Sequence, residues 1–478
     1  MFSQRVTPSI SPHTVELREY IPYWISLNLI FLLALLLFDN KIYLAVLFTA
    51  LPACIIAFLN FKAVLYFLPV SLFLNFNPLG FSMSEWIALL MILSFCVVYR
   101  DIQWDDLTVP LFIPFLLYFF VLVLSTTKSV DVVLSLWYIN HYLLFIGVMT
   151  ILSAVVVNRE TILRLLALYL SVVAFNSIHV IIVATLSGKR VFGFAGVMFV
   201  DYVGIGIVFS VVFSLFSSRW FERILFLLLT ALFTIALILT QTRTAWAATF
   251  VALVIIIGFI AIRHSSFGFR SGEFRRLIAI LILFFGVGLS AALFFNPHTT
   301  GRFSDLGNAS EADVTESGLV KNSLVTRVFI WHTAYNAFVA NPVLGIGAYA
   351  FPFSSQYYYT ISKYFYKLYV AKLTPHQTFI AVAVETGVVG AAAFLLLWIS
   401  ILRYVFKGMI HSFTFEERRT SVVLGGGVLY CMISMFTTDA WLWGHGIILF
   451  GFTLGSFFVH EKLKRRREIG TEIETMDK

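Results

Sequence analysis

Long apolar runs separated by short polar connectors fill most of the 478-residue chain. About fourteen of them approach the roughly 20 residues that an α-helix needs to cross a bilayer. They lie near 22–39, 42–59, 62–77, 84–98, 107–124, 132–157, 161–186, 198–217, 222–241, 244–262, 277–295, 377–406, 419–437 and 443–460. The pattern predicts an all-α polytopic integral membrane protein with about 14 spans, or about 12 if the short early runs do not all cross. Residues 1–21 form a polar segment with charges of both signs. No small-residue cleavage site follows the first run, so that run is read as a retained span.

The connectors give the orientation, because alternate loops should carry the Lys/Arg excess on the cytoplasmic side. Arg219 and Arg223, then Arg263, Arg270, Arg275 and Arg276, then Arg403, Lys407, Arg418 and Arg419 fall on one side, together with the basic tail 461–478. An even span count puts both termini there, in the cytoplasm. The opposite side receives the Ser187–Phe199 connector, the Gln241–Thr244 turn, the Thr437–Gly446 turn and the loop 296–376. The chain therefore divides into the segment 1–21, a bundle 22–295, an outer loop 296–376, a second set of spans 377–460 and the tail.

The outer loop is long enough to be functional. Its first part, to about residue 322, is rich in Gly, Ser and Thr and holds Asp305, Glu311, Asp313 and Glu316. Its second part opens TRVFIWHTAYNAFVANPVLGIGAYAF, where Val328, Trp331, Tyr335 and Phe338 recur at helical spacing. This predicts an amphipathic helix stopped at Asn341-Pro342, a glycine turn, and a Tyr-rich patch lying on the membrane as a lid.

Composition supports a membrane solvent: 60% of residues are hydrophobic, 12% are charged, and the mean hydropathy is +0.92. The net charge of +8 does not indicate nucleic acid, because Lys462, Lys464, Arg465, Arg466 and Arg467 follow the last span as the positive-inside rule requires. Cys54, Cys96 and Cys431 all lie in apolar runs and suggest no disulfide framework.

Several outward residues are candidates for chemistry. Arg243 in TQTRTAW is either a snorkelling helix-end arginine or a fork for phosphate oxygens. Arg190, beside Lys189, is either a solubilising loop residue or a second site for an anion at the outer leaflet. His376 opens the span 377–406 and suits proton transfer near neutral pH, or is an interfacial side chain. His332 and His445 compete with it on the same face, while His141 and His179 lie within spans, where interhelical hydrogen bonds satisfy them. Glu385 lies about 13 Å below His376 along a helix, as a buried paired group. The chain has no phosphate-binding P-loop, HExxH, CxxC or GxSxG motif, and its acidic loop residues make no recognisable calcium loop.

The order of these parts resembles the O-antigen ligase and polymerase superfamily of bacterial envelope glycosyltransferases, of the GT-C type. The resemblance is carried by TQTRTAW, by Arg327, Trp331 and Ala334 as R-x-x-x-W-x-x-A, by NPVLGIGAYAF, and by His376, Phe379, Glu385 and Gly387 as H-x-x-F…E-x-G. It is clearest from about Thr240 to Gly390. It implies a GT-C-like fold in the bacterial inner membrane and a periplasmic active site. The donor would be a glycan on polyprenyl (undecaprenyl) diphosphate. The acceptor would be a sugar hydroxyl on a lipid-linked repeat, lipid A-core or a protein. No metal, cofactor or nucleic acid is implied. Carried over, the catalytic histidine falls on His376, the essential arginine on Arg243, and a second diphosphate-binding arginine on Arg190. Arg327, Trp331 and His332 become loop contacts to substrate, with Glu385 and Gln377 in support; Gln377 stands where the family usually has Asn. A transporter of an anionic solute is the alternative function, and a non-catalytic assembly partner is another.

Overall fold

The computed structural model describes residues 61–73, 82–98, 109–187, 189–263, 323–411, 414–439 and 444–476, with Leu107 and isolated positions between 267 and 290. The expected spans 22–39 and 42–59, most of 277–295, and the Gly/Ser/Thr-rich first part of the outer loop fall outside the described residues.

All regular structure among the described residues is helical. In chain order the helices are α1 (Phe61–Ser71), α2 (Met83–Val98), α3 (Phe112–Ser125), α4 (Val132–Val155), α5 (Arg159–Ser187), α6 (Phe199–Phe216), α7 (Trp220–Leu239) and α8 (Arg243–Ile262). Then come α9 (Ser323–Ala340), the short α10 (Phe351–Ser354) and α11 (Lys363–Tyr369), and finally α12 (Thr378–Ile410), α13 (Phe415–Ser434) and α14 (Gly444–Met476).

Seven of these stretches, within α4, α5, α6, α7, α8, α12 and α14, are long and apolar enough to cross a membrane. The protein is a multi-pass membrane protein. The expected spans 62–77, 84–98 and 107–124 appear as helices of 11, 16 and 14 residues.

Every residue of α6 is buried, which makes it the axis of the bundle, with α5, α7, α8 and α13 packed around it. A helix apolar on all sides has no solvent or lipid face to spare, and α6 reads FVDYVGIGIVFSVVFSLF with Asp201 as its one charge. On the far flank α14 packs along α4 and α12 along α3. The start of α13 is fixed by a capping box: Thr414 Oγ1 accepts from the Glu417 N–H while the Glu417 carboxylate accepts from the Thr414 N–H.

The segment between α8 and α12 has a core of its own, built from Ile330, Ala334 and Ala337 of α9, Ile346 and Phe351, Tyr366 and Tyr369 of α11, and Val384 of α12. The predicted helix and its stop at Asn341 are present. Ile330, Thr333, Ala334 and Ala337 are buried, while Val328, Trp331 and Tyr335 face outward. Small side chains let α9 lie close to the turn beneath it, and this displaces the aromatic row to the outside.

Candidate functional site

Two stretches that look unrelated in sequence, Pro342–Tyr349 and Val384–Val389, are bonded along their backbones. The Val388 N–H donates to the Pro342 carbonyl at 2.8 Å, the Ile346 N–H to Val384 at 3.1 Å, and the Gly347 N–H to Glu385 at 3.0 Å. The apposition is possible because Gly387 leaves helical geometry inside α12, at φ 66 and ψ −167, which opens the backbone there to outside partners. Gly345 and Gly387 sit where a Cβ would collide with the opposing strand of backbone. The Glu385 carboxylate completes the joint: it accepts from the N–H groups of Tyr349 at 2.9 Å and Phe351 at 3.4 Å. Glu385 is thus a clasp for the glycine turn rather than a neighbour of His376.

Above this joint, His376 occupies the left-handed region at φ 54. That conformation costs a non-glycine residue about 1 kcal/mol, and such outliers cluster at functional sites. It lies between two anchors. The Pro375 carbonyl accepts from the Trp331 indole N–H at 3.0 Å, and the Thr378 N–H donates to the carbonyls of Met435 at 3.1 Å and Thr438 at 3.2 Å. Gln377 caps α12 by accepting from the Ile380 N–H at 2.5 Å. The side-chain amide at this position is therefore used by the helix end.

The Thr378 contacts bring the end of α13 to the start of α12, and with it Asp439. Its Oδ2 lies 3.7 Å from His376 Nδ1, too far for a direct hydrogen bond. Thr374 closes the gap, donating its hydroxyl to Asp439 with its Oγ1 at 3.5 Å from the same ring nitrogen. The imidazole stays 38% exposed and the carboxylate only 12%. Arg327 of α9 faces the same carboxylate: burial pulls its pKa below the ordinary value, and the Asp439 charge opposes that shift. A part-exposed histidine whose Nδ1 faces an acid through a bridging hydroxyl is an arrangement suited to proton transfer. Sequence reading missed Asp439 and Thr374, although Asp439 is the one carboxylate in the outward turn 437–446.

The two arginines form a second group. The Arg190 guanidinium donates from Nε to the Thr240 carbonyl at 2.8 Å and from Nη2 to Thr242 Oγ1 at 2.9 Å, and it stacks over the Phe192 ring at 4.3 Å. It therefore grips the turn that delivers Arg243, the first residue of α8. Gln241 in that turn is left-handed at φ 53, like His376. Both groups lie at one end of the bundle. Tyr430 of α13 reaches Asp201 in the first turn of α6 and Thr249 of α8. From that level Arg243 is about 9 Å further along α8 at the helical rise, and α13 ends at Ser434 in the same direction, just before Asp439.

The other candidates lie apart from His376. His332 faces Thr360 at 3.4 Å, and His445 faces Ser84 at 3.1 Å. His141 pairs with Glu85 across two helices at 2.6 Å, and His179 stacks on Phe194. A cavity of about 50 Å³, lined by Tyr138, His141, Tyr349, Glu385 and Thr386 among others, lies beneath the glycine turn and has room for a few waters. Among the described residues no group of three His, Cys, Asp or Glu side chains is placed to hold a metal.

No curated protein matches the chain. The family model described as O-Antigen ligase does, over residues 225–395, a stretch that includes Arg243, Arg327, Trp331, His376 and Glu385. Such a match on a multi-pass membrane protein points to a glycan-transferring membrane enzyme. Over that stretch, about a third of its length, the chain is similar to the O-antigen ligase family, and the match supports the expected resemblance to the O-antigen ligase/polymerase superfamily.

Proposed function

We propose that the protein is an inverting glycosyltransferase of GT-C-like fold that works at the periplasmic face of the bacterial inner membrane, with both termini cytoplasmic. It moves a glycan from polyprenyl (undecaprenyl) diphosphate to an acceptor sugar hydroxyl, as a surface polysaccharide polymerase or ligase, without a metal. The observation that carries this reading is the Thr374-bridged pair of His376 and Asp439, in which the imidazole stays part-exposed. Asp439 orients the ring and stabilises the imidazolium that forms.

In the proposed step His376 takes the proton of the acceptor hydroxyl as that oxygen bonds to the anomeric carbon. The bond from that carbon to the diphosphate breaks on the opposite face, and the lipid diphosphate leaves with the electron pair. Arg243, with Arg190 beside its turn, offsets the charge that builds on the leaving group, an interaction stronger in the transition state than in the ground state. Trp331 and Arg327 close the site from above.

The test is transfer by purified protein using lipid-linked glycan extracted from source cells. His376→Ala should abolish transfer, and retention of full activity would overturn the base assignment. Undiminished transfer by Arg243→Ala would overturn the clamp. In a deletion strain, single lipid-linked repeats accumulate if the protein is a polymerase, and long unattached chains if it is a ligase.

A further inference from the structure

The connector between α5 and α6 carries Arg190 and is held by one face of α5. Asn176 Oδ1 accepts from the Phe194 N–H at 3.0 Å. The Phe194 ring stacks on His179 with centroids 4.1 Å apart and on Phe175 at 6.1 Å. Phe175 and His179 are four residues apart, so they are neighbours on the helix surface, and Asn176 lies between them in sequence. Gly193, one residue before Phe194, is left-handed at φ 66, and a Cβ there would collide with the Asn176 side-chain oxygen. The connector therefore approaches the amide as closely as a glycine permits.

Asn176 is 1% exposed, and among the described residues its Nδ2 has no hydrogen-bond partner. A buried amide with unpaired donors costs stability that an aliphatic side chain of the same size would keep. What the asparagine supplies in return is the bond to Phe194. His179 Nδ1 is also buried without a partner among the described residues, so the imidazole meets the connector through its face. Four residues upstream of Phe194, Arg190 donates to the Thr240 carbonyl and to Thr242 Oγ1, with its guanidinium over Phe192. Residues 190–193 have no regular structure of their own, and four residues reach at most about 14 Å. The stretch is pinned at one end by α5 and at the other by the 240–242 turn, which leaves it little slack.

We propose that Asn176, together with His179, is a positioning residue for Arg190: this face of α5 sets where the guanidinium stands and, through it, the turn that presents Arg243. The consequence for diphosphate binding rests on the transferase reading; the positioning itself does not.

The experiment uses the full-length protein in nanodiscs, and the probe is farnesyl diphosphate, a short polyprenyl diphosphate. Asn176→Leu keeps the volume and removes the acceptor. It should raise Kd about tenfold in protein with Arg190 intact, and about twofold or less in an Arg190→Ala background, because its effect passes through that side chain. His179→Ala should behave in the same way, while His179→Phe, which keeps the stack, should bind like the unaltered protein. Trypsin cleavage after Lys189 reads the connector directly. It should be several times faster in Asn176→Leu and His179→Ala and unchanged in His179→Phe. The His179 pair decides the matter if Asn176→Leu does not fold. Equal losses of affinity with and without Arg190 would overturn the proposal, as would unchanged cleavage in both Asn176→Leu and His179→Ala. If the unaltered protein ignores the probe while cleavage follows the expected pattern, the diphosphate clamp falls and the positioning stands. If the probe binds and neither variant changes Kd or cleavage, the positioning falls and the clamp stands.

Discussion

Arg190 holds the carbonyl of Thr240 at 2.8 Å, so a residue fifty positions upstream fixes the turn that presents Arg243. If Arg190 serves the proposed clamp through this turn, its effect and that of Arg243 should not add. Arg190→Ala should raise the KM for lipid-linked donor by about tenfold to a hundredfold. Arg190→Lys should recover little, because one ammonium cannot serve both Thr240 and Thr242. Steady-state kinetics of both single variants and of the double variant with Arg243→Ala provide the check; strictly multiplicative losses would separate the two roles.

Asp439 and Thr374 give the proposed base its orientation. Asp439→Ala should lower kcat by about a hundredfold or more with donor KM little changed. Thr374→Val removes only the bridge and should cost about tenfold. A variant of Asp439 with unchanged kcat would detach the carboxylate from the chemistry.

Glu385 clasps two backbone N–H groups in a buried position, and Ala in its place strands both. The cost should be about 1–3 kcal/mol for each orphaned donor. Glu385→Gln keeps an acceptor oxygen and should cost less. Thermal unfolding in detergent, with limited proteolysis between Phe351 and Leu373, measures both effects. Early cleavage of the Ala variant alone is the expected pattern.

A second buried pair lies in α14. Lys464 Nζ binds both oxygens of Glu461, at 3.1 and 3.0 Å, and the Gly408 carbonyl at 3.2 Å, with both side chains about 95% enclosed. Lys464→Met alone should destabilise by about 3–5 kcal/mol, because it leaves an uncompensated carboxylate. Glu461→Leu combined with Lys464→Met should recover most of that loss, and a melting series over the two singles and the double decides it.

Hydrophobic periodicity carried the architecture because a bilayer imposes one length scale on every span, and α4 through α8 follow it closely. It faltered where packing replaces lipid. The row Val328, Trp331, Tyr335 identified a helix but not the side that packs, since Ala334 and Ala337 carry too little hydrophobic weight to mark it. Charge alternation put His376 and Arg243 on one side of the membrane, and in the fold they lie toward one end of the bundle. Asp439 stayed invisible because it meets Thr374 across 65 residues of sequence, a pairing that only the meeting of α12 and α13 creates. Arg190 was legible as a charge but not as the support of the Thr240–Thr242 turn, because backbone acceptors leave no mark in a sequence.

The clasp between Tyr349 and Glu385 has an evolutionary corollary. It ties off a loop of 36 residues at its neck, so the excursion from Phe351 to Leu373 begins and ends at fixed points. Closing a longer loop costs only slightly more than closing a shorter one. Insertions and exchanges within that excursion therefore leave the neck where it is and alter mainly the outer rim. The neck and the excursion are therefore separable in length: one is pinned by backbone bonds, and the other is free to change size without moving the pins.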